Sequence, residues 1–395
     1  MSFPIHLPVE AWSIQAVDMH TSGEASRIVF KGYPALQGTL LEQRAEAKEK
    51  HDRLRQALIL EPRGHPEMYG AVLRPHTELT ATNEAHIGVL FLTNEGYSTM
   101  CGHASIALGR FLVDCHDLDV FAMRETLPYD ESTRTVTIRL HAPCGLVILT
   151  VPTIQGGRLA DVTRPVSFIS VPSFAAGLDQ RVSIPPCLEW PELNNSRQVT
   201  IDIGYGGAFY VLIKASELGF PAGLKCPDSL SAFDFATKRL KRAIQADPAV
   251  RELIKHPIHD DLSFLYSVIV VDDSNDQDDD ANQEELGLCF FGDQQIDRSP
   301  TGGGVAARVA VAYAKGKRRI GQSWTYHSIV SKFMGKGGFT STIESVTAMR
   351  GSDGQHIEAL NVCIAGFAYY TGRHEFVVEQ EDPLQAGFLF DRIVF

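Results

Sequence analysis

Two stretches decide the architecture: NEGYSTMCGHASIALGRFLVD, residues 94–114, and DQQIDRSPTGGGVAARVAVAYAKG, residues 293–316. Each runs from a polar loop through a small nucleophile-type residue (Cys101, Thr301) and a glycine into a helical segment. In the first, Ile106, Leu108, Phe111, Leu112 and Val113 leave almost no polar face. In the second, Val305, Ala306, Ala307, Val309, Ala310 and Val311 do the same. A helix that is apolar nearly all round must be buried. Two such helices far apart in one chain imply two similar halves, each wrapping strands about a central helix.

The remaining sequence supplies those strands. Alternation predicts strands over Trp12–Val17 and Arg27–Phe30, split by a polar turn, and helical spacing with dense charge predicts a surface helix over 39–59. Short strands follow near 70–73, 87–92, 134–140 and 145–151. The Pro- and Asn-rich segment 185–197 suggests a domain crossing near 195. The chain thus divides into 1–195, carrying Cys101, and 196–376, carrying Asp297 and Thr301. A helical insertion is expected at 228–255, then a strand LYSVIVV, an acidic run at 272–285 and a strand LGLCFFG. Eight acids in that 14-residue run read as a solvated loop, since the spacing lacks the glycine and final glutamate of a calcium-binding EF-hand.

At 395 residues, with 44% hydrophobic and 21% charged residues, the chain is ordinary globular material and suits two domains. Its net charge of −12 repels phosphate, so nucleic acid and anionic membranes are not expected partners. Seven scattered cysteines without a CxxC pair suggest neither a disulfide framework nor a zinc site. The beginning MSFPIHLPVEAW does not read as a signal peptide, and no apolar run reaches the ~18 residues of a membrane span. A cytoplasmic, reduced protein is the expectation, with a homodimer as the candidate assembly.

The start of a buried helix offers unpaired amides and the positive end of its dipole. Gly102 after Cys101, and Gly302, Gly303 and Gly304 after Thr301, allow a ligand close to the backbone. Two such ends in one cleft would cradle a carboxylate, and the same field should lower the pKa of Cys101. Alone, Cys101 also fits an inert buried cysteine; the matched second segment tips the balance toward function. Asp297 could accept from a ligand ammonium or cap its own turn. His103 could bind a carboxylate, steer a proton or be structural. No GxGxxG follows a strand, and TGGGVAAR lacks a phosphate-loop lysine, so no nucleotide, metal or other cofactor is expected. IGYGGAFY at 203–210 reads as a turn and bulge within a sheet.

DMHTSGEASRIV (18–29), EPRGHPEMYGA (61–71), MCGHASIALGRF (100–111), IDIGYGGAFYVL (201–212) and DRSPTGGGVAAR (297–308), with the ending at 364–388, resemble the proline racemase family over nearly the whole chain. The resemblance implies an α/β (α+β) fold of two pseudo-symmetric halves, each a curved, mostly antiparallel sheet around a buried helix. It also implies a final strand, about 377–395, returning to the first half. Family racemases use two cysteines on opposite faces of the substrate carbon; here the positions are Cys101 and Thr301. That Cys/Thr pair resembles the trans-3-hydroxy-L-proline dehydratases. It implies Cys101 and Thr301 as catalytic positions, with Gly102, His103, Asp297, Gly302 and Gly303 binding a hydroxyproline. A thiol, with pKa about 8.5, can serve as acid and base in turn, whereas a threonine hydroxyl without an adjacent base cannot be the second base. An epimerase or racemase of the same family, or a binding protein that has lost its chemistry, remain the alternatives.

Overall fold

The structure is a computed structural model describing residues 12–194, 196–224, 230–273, 283–352, 354 and 356–390. Its first half contains β1 (Trp12–Thr21), β2 (Glu24–Lys31), α1 (Leu40–Lys50), α2 (Asp52–Ile59), β3 (Gly70–Arg74), β4 (Ile87–Leu92), α3 (Gly102–Asp114), β5 (Thr135–Ala142), β6 (Gly145–Ile154) and β7 (Val166–Ile169). The second half contains β8 (Phe174–Ser183), β9 (Gln198–Tyr205), β10 (Phe209–Lys214), α4 (Leu230–Ala246), α5 (Pro248–Leu253), β11 (Leu265–Val271), β12 (Glu284–Phe291), α6 (Gly302–Ala314), β13 (Ser323–His327), α7 (Ile329–Met334), β14 (Phe339–Arg350) and β15 (His356–Gly366). The last strand, β16, is Ala368–Val378.

The pairings repeat. From β1 to β7, neighbours are antiparallel, parallel, antiparallel, parallel, antiparallel and antiparallel. From β9 to β15 the same series recurs. α3 follows β4 as α6 follows β12, and both helices lie in the main hydrophobic core. The duplication read from two helices therefore extends through the sheet. The halves join along an antiparallel seam, Val166↔Gly366 to Ile169↔Cys363. They also exchange strands: β8 follows β7 but pairs with β9, and β16 follows β15 but pairs with β1.

This exchange moves two expected boundaries. The chain leaves the first group of strands between Ile169 and Phe174, upstream of 195, because 185–197 only joins the antiparallel neighbours β8 and β9. The returning strand is Ala368–Val378, not 377–395; the chain turns after Val378, and 391–395 lie outside the described residues. The helix expected over 39–59 breaks at His51, and α2 buries Leu54, Leu58 and Ile59 rather than lying on the surface. The insertion is α4 plus α5, parted where Asp247 caps a helix with Pro248 in its first turn. Of the acidic run, 274–282 lie outside the described residues, while Glu284 and Glu285 open β12 and pair with Lys332 and with Arg308 and Arg318. No helix among the described residues is long and apolar enough to cross a membrane.

Candidate active site

The starts of α3 and α6 meet back to back. A Cβ on Gly102 would sit 2.5 Å from the Gly302 Cα, and one on Gly302 would sit 2.7 Å from the Gly102 Cα, with the Phe168 ring closing the gap. Glycine is required at both positions because backbone approaches backbone. Gly204 and Gly206 pack against α6 for the same reason, Gly207 turns at φ +92° against Met100, and a Cβ on Gly303 would strike the Tyr210 hydroxyl. Beside the contact lies a cavity of about 10 Å³, lined by Cys101, Gly102, His103, Asp297, Thr301, Gly302 and Gly303, with Met100, Tyr69, Tyr210, Tyr266 and Phe291 as its walls. Seven residues singled out in the sequence are brought together there, whereas Gly304 packs against Ile269 away from the cavity.

Cys101 caps α3, its Sγ accepting from the Ala104 amide at 3.3 Å. The His103 nitrogens lie 3.3 and 3.5 Å from that sulfur, and Tyr69 packs edge-on against the imidazole with ring centroids 4.7 Å apart. On the other side, Asp297 Oδ1 accepts from the Ser299 amide at 2.8 Å and Oδ2 from the Thr301 hydroxyl at 2.8 Å. Asp297 Oδ2 also lies 4.0 Å from His103 Nδ1. Asp297 thus caps its own turn and still faces the histidine. Thr301 adopts φ +66°, a left-handed conformation costly for a β-branched residue. Such strain of about 1–3 kcal/mol persists where the surroundings enforce it, and it clusters at functional sites.

The expected lowering of the Cys101 pKa is overturned. Burial pushes the thiol well above its usual range and the Asp297 carboxylate adds to this, while the Ala104 amide offsets only part. Desolvation of a charged sulfur outweighs one helix end. Burial also lowers the His103 pKa, against the pull of Asp297 and a backbone hydrogen bond with Ala25.

Sequence reasoning missed Glu24. It is 1% exposed, its Oε2 accepts from the Arg298 amide at 2.7 Å, and its Oε1 has no partner among the described residues. Burial, and after it the neighbouring Asp297, raise its pKa well above its usual value. Glu67 Oε2 takes Arg298 Nη1 at 2.6 Å and the Ile296 amide at 3.0 Å. First-half carboxyl groups therefore grip the second-half loop that carries Asp297. Glu24, Glu67 and Tyr69 all lie in segments that carried the resemblance, which was the available signal. Tyr266 lies outside those segments and had none.

Comparison with known proteins agrees with this architecture. The family profile described as proline racemase matches residues 16–389. A trans-L-3-hydroxyproline dehydratase of Pongo abelii is 39% identical over 378 residues, covering 95% of this chain and 94% of that one. The trans-3-hydroxy-L-proline dehydratase of Colwellia psychrerythraea is 35% identical, covering 95% and 92%. Among solved structures, a hydroxyproline epimerase from Agrobacterium vitis with bound trans-4-hydroxy-L-proline superposes with a TM-score of 0.74 at 22% identity, covering 97% of each chain. A probable proline racemase from Agrobacterium radiobacter reaches 0.76 at 24% identity, covering 95% and 96%. At those identities the two structures speak for the fold.

Proposed function

The chain belongs to the proline racemase family, and from that premise we propose that it removes water from trans-3-hydroxy-L-proline to give a pyrroline carboxylate, a hydro-lyase reaction. The observation that carries this reading is the asymmetric pair across the cavity. A thiol with an adjacent imidazole stands at one helix start, and a hydroxyl tied to a carboxylate at the other. Asp297 is an adjacent base for Thr301, but a carboxylate is far too weak to ionise an alcohol. Thr301 therefore positions rather than deprotonates, and two-base racemisation is disfavoured.

In the proposed reaction the first-turn amides, including those of Gly102, His103, Gly302 and Gly303, hold the substrate carboxylate, since they have no partners within their own helices. Asp297 receives the ring ammonium. His103 takes the Cys101 proton, which offsets the burial of the thiolate by forming an ion pair beside Asp297. In trans-3-hydroxy-L-proline the Cα hydrogen and the hydroxyl share a ring face. Cys101 removes the Cα proton, the C–O bond breaks as a C=C bond forms, and the proton passes from sulfur to the departing oxygen, directly or through a water. Water leaves, the thiolate is restored and the enamine tautomerises to the cyclic imine. No electron-sink cofactor enters the scheme. A cavity of about 10 Å³ is about the size that holds one water, so the halves must part to admit substrate and close again for the chemistry.

The reading extends to a cytoplasmic enzyme acting on a free small molecule, without nucleic-acid or membrane partners, in keeping with the net charge of −12; a homodimer is its candidate assembly. The test is to incubate the purified protein with each 3- and 4-hydroxyproline isomer and follow pyrroline formation and epimerisation. The trans-3-hydroxy-L isomer should react fastest. Its cis-3 counterpart, with the hydroxyl facing Thr301, should fall behind by about a hundredfold or more, the contribution of a placed acid. Comparable turnover of both, or efficient epimerisation instead, would overturn the reading.

A further inference from the structure

A larger pocket, of about 490 Å³, lies behind one wall of the catalytic cavity. That volume falls within the roughly 300–1,000 Å³ of small-molecule sites. Both halves build it: Arg44 and Lys48 of α1 and the loop 93–98 on one side, Lys241 and Gln245 of α4 on the other. Tyr266 lines both spaces. Ser98 and Gly292 face the pocket, while Met100 and Phe291, close by in the chain, face the cavity. Tyr266, common to both linings, stands between them.

The charge arrangement is specific. Lys241 Nζ donates to the carbonyls of Tyr266 and Gly292 at 3.3 and 3.0 Å, and Arg44 donates twice to the Tyr97 carbonyl at 3.1 and 2.7 Å. Neither forms an ion pair among the described residues, although both are largely withdrawn from water, which lowers the pKa of each. The exposed Glu95 and Asp261 pull on Lys241 and Arg44 through space without contacting them, which leaves both half-buried cations able to take an anion directly. Glu95 and Asp261 stand at the exposed rim, where an ammonium would meet them.

We propose that this pocket is an entry site for an amino-acid zwitterion, Lys241 and Arg44 receiving the carboxylate before the Tyr266 partition admits the molecule to Cys101. The identity of the amino acid as a hydroxyproline rests on the function proposed above; the route does not. It also gives the inserted helix α4 a task, since α4 supplies the deepest cation.

Alkylation of Cys101 reads the route without any turnover. Iodoacetate carries the carboxylate, iodoacetamide is its neutral counterpart, and peptide mass spectrometry separates Cys101 from the exposed Cys187. Lys241→Met should slow iodoacetate labelling of Cys101 about tenfold, the lower range of cleft focusing, while iodoacetamide stays within twofold. Gln245→Glu, at an exposed position on the pocket lip, should also slow only the anionic reagent, and added salt should shrink both effects. In hydroxyproline turnover, Lys241→Met should raise KM and spare kcat. Equal slowing of both reagents, an unchanged iodoacetate rate in both variants, or a wild-type Cys101 that neither reagent reaches overturns the entry site. A chain that shows the charge-selective labelling yet dehydrates no hydroxyproline would keep the route and lose the substrate.

Discussion

Adding one methyl group where the two helix starts touch should separate catalysis from folding. In Gly302→Ala the new Cβ would lie 2.7 Å from the Gly102 Cα and 2.9 Å from Phe168 Cζ. Carbon atoms pack at about 3.5 Å or more, so the first contact falls about 0.8 Å short. Phe168 can tilt, but the Gly102 backbone cannot yield without moving α3. The helix starts must therefore part by most of an ångström. Overpacking of this kind costs about 1–3 kcal/mol, a loss that a chain of this size survives folded. Misplacing reacting groups by about 1 Å costs about a hundredfold in rate. The assay is kcat for hydroxyproline dehydration beside thermal unfolding, with Gly109→Ala as control. That methyl group would press on the side chains of Val166 and Val151 at 3.0 and 3.2 Å, away from the cavity. It should destabilise similarly and leave kcat within a few fold. A Gly302→Ala enzyme with full kcat would refute the idea that this contact sets the distance between the two catalytic faces.

Cys101→Ser should lower turnover by about two orders of magnitude or more with the fold intact; near-normal dehydration, checked by pyrroline formation, would remove Cys101 as the base. Thr301→Cys places a thiol beside Asp297 on the second face and should introduce epimerisation of a proline-type substrate, read by chiral chromatography. A folded variant that binds substrate and gains none would show that residue 301 is not the switch. Because burial raises the Cys101 pKa, thiolate is scarce in the free enzyme at neutral pH. Iodoacetamide labelling of Cys101 should therefore keep rising, by about tenfold per pH unit, past the ordinary thiol value of about 8.5. A plateau below pH 8 would contradict it and point to a thiolate–imidazolium pair already formed before substrate binds.

The two central helices were legible because burial on all sides leaves an all-apolar composition, and burial is what the sequence of such a helix records most directly. Their facing glycines were legible as permissive positions. That Gly102 and Gly302 exist for each other was not, since no local pattern records a contact between residues so far apart. The Pro- and Asn-rich segment 185–197 was read as the domain crossing, near 195, but it only links two neighbouring strands. Turn chemistry says where a strand ends but not which sheet the next one joins, so the crossing was set too late. The thiol pKa failed for a related reason: a helix end is visible in sequence, whereas the desolvation that outweighs it depends on Tyr69, Tyr266 and Phe291 arriving from elsewhere. Glu24 shows the same limit, its raised pKa set first by burial and then by a carboxylate on the opposite half.

The strand exchange between the halves also imposes an order on biosynthesis. β1 is made first, and one of its edges pairs at once with β2; the other waits for β16, from Trp12↔Val378 to Thr21↔Ala368. At the usual 5–20 residues per second, that edge stands open on the ribosome for roughly twenty to seventy seconds. Open strand edges are templates for pairing with other chains. A nascent chain is therefore exposed at that edge throughout the synthesis of residues 22–367, and a message truncated before the codon for Ala368 yields a product whose β1 lacks its second partner.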